Sequence, residues 1–82
     1  MQGFHYVYIL LSIAHPGRHY VGFTEDLGKR LRYHNAGHVP HTAKHRPWRI
    51  KTALAFDDRD QALAFERYLK TGSGRAFSSK RL

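Results

Sequence analysis

The sequence predicts an α+β domain in the order β-β-α-β-α, with a small antiparallel sheet and helices packed on it. Three observations carry this. Phe4 to Leu11 is a run of aromatic and β-branched or aliphatic residues interrupted only by His5. Trp48 to Phe56 alternates between large apolar and small or charged side chains. Two further stretches open on capping residues and carry apolar positions at helical spacing.

Taken in order, the Phe4 to Leu11 run is apolar on both faces and therefore reads as a central strand. Ala14-His15-Pro16-Gly17 supplies a turn, and His19 to Phe23 reads as the second strand of an antiparallel hairpin. That pairing brings Tyr8 and Tyr20 near each other. A helix follows, capped by Thr24 or Asp26 and ended by Gly37. Leu27, Leu31 and His34 recur at i, i+4, i+7 and share one stripe, with Arg30 at its edge. Asn35 to Pro47 holds Gly37, Pro40 and Pro47 and is expected to be a long loop. Its His38, His41, Lys44, His45 and Arg46 suggest a clamp on a phosphate backbone. In the third strand, Trp48, Ile50, Thr52, Leu54 and Phe56 are expected to point one way and Arg49, Lys51, Ala53 and Ala55 the other. Asp58 and Gln61, at capping-box spacing, open a second helix that Gly72 stops. Ser73 to Leu82 is a basic tail, expected to hold one short helix.

The 82 residues suit a single domain, residues 1–82. Fourteen Lys and Arg against six Asp and Glu give a formal charge of +8. A field of that sign draws in polyanions, nucleic acid first and an anionic membrane surface second. No cysteine is present, which rules out disulfides and thiolate metal sites and fits a reducing cytoplasm. The longest apolar run, Tyr6 to Leu11, is far too short to span a bilayer, and no signal-peptide pattern is seen. A membrane partner is therefore not expected, and the expected location is cytoplasmic.

The six acids separate by position. Glu25 and Asp26 start the first helix, and Asp57, Asp58 and Asp60 start the second, where they cap N–H groups and meet the positive end of the dipole. Glu66 is different. With Ala62 at zero on a wheel of about 100° per residue, Leu63 falls near ~100°, Phe65 near ~300°, Leu69 near ~340° and Glu66 near ~40°. The carboxylate thus lies inside the apolar arc, where a charge must be paired, protonated or metal-bound. A buried ion pair with an Arg, or a Glu at the rim of the core, accounts for that position as well as a metal site does. His34, His38, His41 and His45 do not make a zinc cluster, because Gly37 and Pro40 break any helix that would align them. No Ser-His-Asp signature is present.

Tyr6-Val7-Tyr8, then Tyr20-Val21-Gly22, then Gly22-Phe23-Thr24-Glu25-Asp26-Leu27-Gly28-Lys29-Arg30-Leu31 with His34, and finally Glu66 form an ordered set over nearly the whole chain. This set resembles the GIY-YIG endonucleases. It is most similar to the short bacterial members related to the nuclease domain of the bacterial repair excinuclease, as is the ending Tyr68-Leu69-Lys70-Thr71-Gly72-Ser73-Gly74-Arg75. The resemblance implies a three-stranded antiparallel sheet flanked by helices and metal-dependent hydrolysis of DNA phosphodiesters, as in repair or recombination. The cofactor would be Mg²⁺ or Mn²⁺. By the same resemblance Glu66 holds the metal, Arg30 stabilises charge on the phosphate, Tyr8 and Tyr20 orient or deprotonate the attacking water, His34 assists, and Gly22 allows close backbone packing. Lys29, Lys44, Arg46 and Arg75 are the expected nucleic-acid contacts. Two positions depart from the pattern: Tyr6 stands in place of Gly, and Phe23 in place of the Lys of the excinuclease domain. The chain ends soon after Glu66, so recognition is expected to follow DNA structure more than base order. The competing reading is a non-catalytic DNA- or RNA-binding module of the same fold.

Overall fold

Strand β1 (His5–Ser12) lies between β2 (His19–Thr24) and β3 (Trp48–Phe56), antiparallel to both, in a sheet of order β2-β1-β3. Its central place follows from its side chains. Val7, Tyr8, Ile9 and Leu10 are all buried, so both faces of β1 must be covered. The computed structural model describes residues 3–82; Met1 and Gln2 of the expected 1–82 domain lie outside the described residues.

Four helices follow in the order α1 (Leu27–Asn35), α2 (Pro40–Ala43), α3 (Arg59–Leu69) and α4 (Gly72–Arg81), with β3 between α2 and α3. Asp26, not Thr24, caps α1 by accepting from the Lys29 N–H at 3.0 Å. Asp58 caps α3 by accepting from the N–H groups of Asp60 and Gln61. Gly37 ends α1 at φ +84°, a conformation that favours glycine, and its N–H donates to the His34 carbonyl. Glu25 precedes α1 and has no capping role; its carboxylate lies 3.2 Å from His5 Nδ1.

Two helices depart from the expected layout. The segment expected to be a long loop contains the single turn α2, which opens on Pro40, where a missing N–H removes no helical bond. The expected basic tail is the ten-residue helix α4. Thr71 caps it by accepting from the Gly74 N–H at 3.1 Å. Gly74 is buried, and a Cβ there would collide with the Tyr68 carbonyl, so only glycine lets α4 close against the end of α3.

Strand β3 also departs from the expected pattern. Register shifts between Ile9 and Leu10, which pair with Thr52 and Ile50 and leave Lys51 as the extra residue of a bulge. Trp48 and Ile50 therefore join Tyr8 and Leu10 in one apolar cluster, with Tyr20, Leu27 and Leu31. Phe56 joins Val7 and Ile9 in the other, with Ala62, Phe65, Leu69 and Leu82. The expected single face of five residues is split between the two sides of the sheet, because one inserted residue reverses the side-chain parity beyond it. Among the described residues, no helix is long and apolar enough to cross a membrane.

Candidate active site

Tyr8 is the centre of the site. It is 2% exposed, and its ring lies directly over Gly22, its partner on β2. A Cβ on Gly22 would overlap the ring carbon that bears the hydroxyl and the hydroxyl itself. Tyr20 sits two residues earlier on β2, opposite Leu10, and its ring centroid is 6.4 Å from that of Tyr8. The hairpin thus brings the two tyrosines together as the strand pattern predicts.

Helix α1 supplies two more groups, one turn apart. His34 is fully buried, and its Nε2 lies 2.9 Å from Tyr8 Oη. Arg30 donates from Nε to the same oxygen at 3.4 Å. Tyr20 packs against the imidazole, with centroids 4.9 Å apart. Burial raises the Tyr8 pKa above 10.0, against the opposing pull of Arg30. Burial and then the Arg30 charge hold His34 below its ordinary 6.5. The Arg30 guanidinium is held further in its charged form, first by its hydrogen bond to Tyr8. At neutral pH the centre is therefore a protonated phenol, a neutral imidazole and a guanidinium.

Behind His34 stands Thr42, which nothing in the sequence marks. It is 1% exposed, and its Oγ1 lies 2.8 Å from His34 Nδ1. Trp48 donates from Nε1 to the Thr42 carbonyl at 2.8 Å. Asn35 in turn accepts the Trp48 N–H and donates to the Trp48 carbonyl, at 2.7 and 3.0 Å. Ser12 donates to the His45 carbonyl at 2.7 Å. These bonds pin the 35–47 segment to the sheet, so α2 is a fixed wall of the site.

Glu66 comes from α3. Its side chain is 15% exposed, which agrees with its place in the apolar arc of the wheel. Lys70, one turn on, holds the carboxylate as an i,i+4 ion pair. The partner is thus a Lys rather than an Arg. The carboxylate is near enough to Tyr8 to add to the rise of its pKa. One hard oxygen ligand near the Tyr8 hydroxyl fits a divalent cation such as Mg²⁺, which commonly takes one or two protein carboxylates and fills its shell with water and phosphate. Lys70 would compete with a cation for that carboxylate.

An open groove of about 1230 Å³ runs past Tyr20. Arg18, Lys44, Lys51, Lys70 and Arg75 line it and, among the described residues, no acid does. Of the four expected nucleic-acid contacts, Lys44 and Arg75 belong to this groove; Arg18, Lys51 and Lys70 are additions that sequence spacing does not single out. Lys29 is exposed on α1 next to Arg30. Arg46 is exposed, yet its Nε donates to the Ala43 carbonyl at 2.7 Å and its guanidinium lies against Gly37. Phe23, the substituted position, is turned away from the centre: it packs in the α3 cluster with Arg59 over its ring.

The two depressed histidines set an acid limit on stability. His45 is lowered by burial, then by Arg18, His15 and Lys44. A folded pKa below the unfolded 6.5 means that the unfolded chain binds protons first. The contribution is complete above 6.5 and is lost as pH falls through the depressed folded values. Melting temperature should decline below that pH, and His34→Gln and His45→Gln should each flatten the decline. An unchanged slope in both variants would contradict the assignment.

Comparison with known proteins adds four findings. Residues 4–80 match the family described as the GIY-YIG catalytic domain. The chain is 42% identical over 77 residues to the structure-specific endonuclease subunit SLX1 of Candida dubliniensis, covering 85% of this chain but only 27% of that protein. A UPF0213 protein of Lacticaseibacillus paracasei is 39% identical over 67 residues, 80% of this chain and 73% of its own length. Among solved structures, the UPF0213 protein from Bacillus halodurans aligns with a TM-score of 0.56 at 28% identity, over 94% of this chain and 83% of that one.

Proposed function

The chain belongs to the GIY-YIG family of nuclease domains, and on that premise we propose that it is a divalent-metal-dependent endonuclease that hydrolyses DNA phosphodiester bonds. The observation that carries the reading is the hydrogen-bonded Arg30–Tyr8–His34 centre packed on Gly22, with Tyr20 and Glu66 beside it.

Each residue then has a distinct task. Glu66 would hold the cation, which when bound would supply positive charge at the scissile phosphate. Arg30 stays charged and matches phosphate oxygens. Tyr8 takes the proton of the attacking water as its own phenolic proton passes to His34 Nε2. From the ordinary pKa values alone, 10.0 and 6.5, moving that proton unaided costs about 5 kcal/mol. The two shifts make it costlier, so the transfer accompanies attack and does not precede it. Tyr20, half-buried at the groove wall, orients the water. The basic groove holds the strand by its backbone, which carries no base information, so branched or flapped DNA of the kind met in repair and recombination is the preferred substrate.

Purified protein is to be incubated with single-stranded, duplex and branched DNA and with RNA, in Mg²⁺ or Mn²⁺ and in EDTA. Cleavage of DNA that needs the cation is expected, falling about 10²–10³-fold in Glu66→Gln and in Arg30→Ala. Wild-type rates in Glu66→Gln would overturn the assignment. Salt-sensitive binding with no cleavage of any substrate would make the domain a binding module.

A further inference from the structure

We propose that Thr42 is a positioning residue that holds His34 in the Nδ1–H tautomer and so keeps Nε2 open to the Tyr8 proton; only its catalytic consequence rests on the function proposed above. The inference comes from counting protons in a chain of buried groups. Arg30 can only donate, so the Tyr8 oxygen accepts from it. The Tyr8 proton then needs an acceptor, and His34 Nε2 stands 2.9 Å away. If Nε2 accepts, Nδ1 carries the ring proton and donates to Thr42 Oγ1 at 2.8 Å. Thr42 in turn donates to the Val39 carbonyl at 3.2 Å. Every proton has an acceptor in this arrangement, and the chain ends on the backbone.

The other tautomer fails the same count. With the ring proton on Nε2, His34 donates to the Tyr8 oxygen, which already accepts from Arg30. The Tyr8 proton then loses Nε2 as its acceptor, on a side chain 2% exposed. A buried donor without an acceptor is expensive. His34 itself is fully buried and Thr42 1% exposed, so water does not readily substitute at either ring nitrogen. Thr42 is held for this task from outside: its carbonyl takes the Trp48 Nε1–H, and Asn35 clamps the Trp48 backbone. The orienting group of a histidine base is commonly a carboxylate or a carbonyl, and its loss leaves the ring in a mixture of tautomers. Here a hydroxyl on a one-turn helix fills that role.

The test reads the tautomer directly. ¹⁵N–¹H correlation spectra of the imidazole distinguish the two protonated nitrogens in wild type, Thr42→Val and Thr42→Ser, with no substrate or metal present. Wild type is expected to show Nδ1–H for His34, Thr42→Val a mixed population, and Thr42→Ser the wild-type pattern. In parallel, kcat for DNA cleavage should fall about 10–100-fold in Thr42→Val with KM unchanged, and Thr42→Ser should restore it. An Nε2–H tautomer in wild type overturns the inference whether or not Thr42→Val folds. So does a Thr42→Val spectrum like wild type, or a shifted tautomer with unchanged kcat. If the tautomers behave as expected and wild type cleaves nothing, the tautomer assignment holds and the nuclease function fails.

Discussion

Tyr8→Phe should lower DNA cleavage by about 10²–10⁴-fold while the domain stays folded. The side chain is 2% exposed and packs over Gly22, and Phe keeps that packing. What it removes is one oxygen that joins Arg30 to His34. The loss should appear in kcat, because in the proposed mechanism the phenol acts on the water and not on the DNA backbone. The buried His34 Nε2 and the half-buried Arg30 Nε each lose a partner, so a stability cost of about 1–3 kcal/mol accompanies the change. Circular dichroism and thermal melting separate the two effects. A folded Tyr8→Phe that cleaves at the wild-type rate would move the proton-accepting role to Tyr20. The matching variant Tyr20→Phe should cost less, since Tyr20 is half-buried and lines the groove without a hydrogen bond to His34.

Gly22→Ala should damage both folding and cleavage. The added Cβ would occupy the space of the Tyr8 hydroxyl and the carbon that bears it. Tyr8 has little room to retreat, since Leu10 and Trp48 pack in the same cluster and His34 closes the far side. Overpacking of this kind costs about 1–3 kcal/mol, or more when the neighbour is a rigid ring. In a domain of this size each kcal/mol lowers the melting temperature by roughly 4–8 °C. Any shift of the ring also breaks the 2.9 Å contact to His34. A second change, Tyr8→Leu in the Gly22→Ala background, should recover stability without recovering cleavage, because a shorter side chain vacates the contested space. Melting temperatures that simply add across the pair would show that the two residues do not meet in solution.

Much of this molecule is legible in the linear order of residues. Period-two alternation, the two aspartate caps and the φ > 0 glycine at position 37 are local signals, and each acts within a few residues of itself. They place β1, β2, β3, α1 and α3 to within about two residues. Glu66 is legible for a related reason: a helix wheel shows a charge on an apolar arc without reference to any neighbour. Helix α4 is harder to read. Gly72, Ser73 and Gly74 are weak helix formers, and the helix exists because Gly74 can press on the α3 carboxyl end and Leu82 can reach the core.

Contacts between distant segments are what the linear order does not disclose. The bulge at Lys51 transfers Trp48 and Ile50 to the Tyr8 side of the sheet, although residue-by-residue alternation runs on unbroken. Thr42 meets a histidine 8 residues away, and Tyr8 meets the same histidine across 26. Arg18, Lys51, Lys70 and Arg75 come from separate parts of the chain to line one groove. Periodicity reports how each element is buried, whereas a proton chain or a charged groove depends on which buried and exposed groups the packed elements bring face to face. The residue types of the Tyr8, Tyr20, Arg30, His34 and Glu66 set are present in the sequence; the hydrogen bonds that link Tyr8, Arg30, His34 and Thr42 arise from closing α1 and α2 onto one face of a three-stranded sheet.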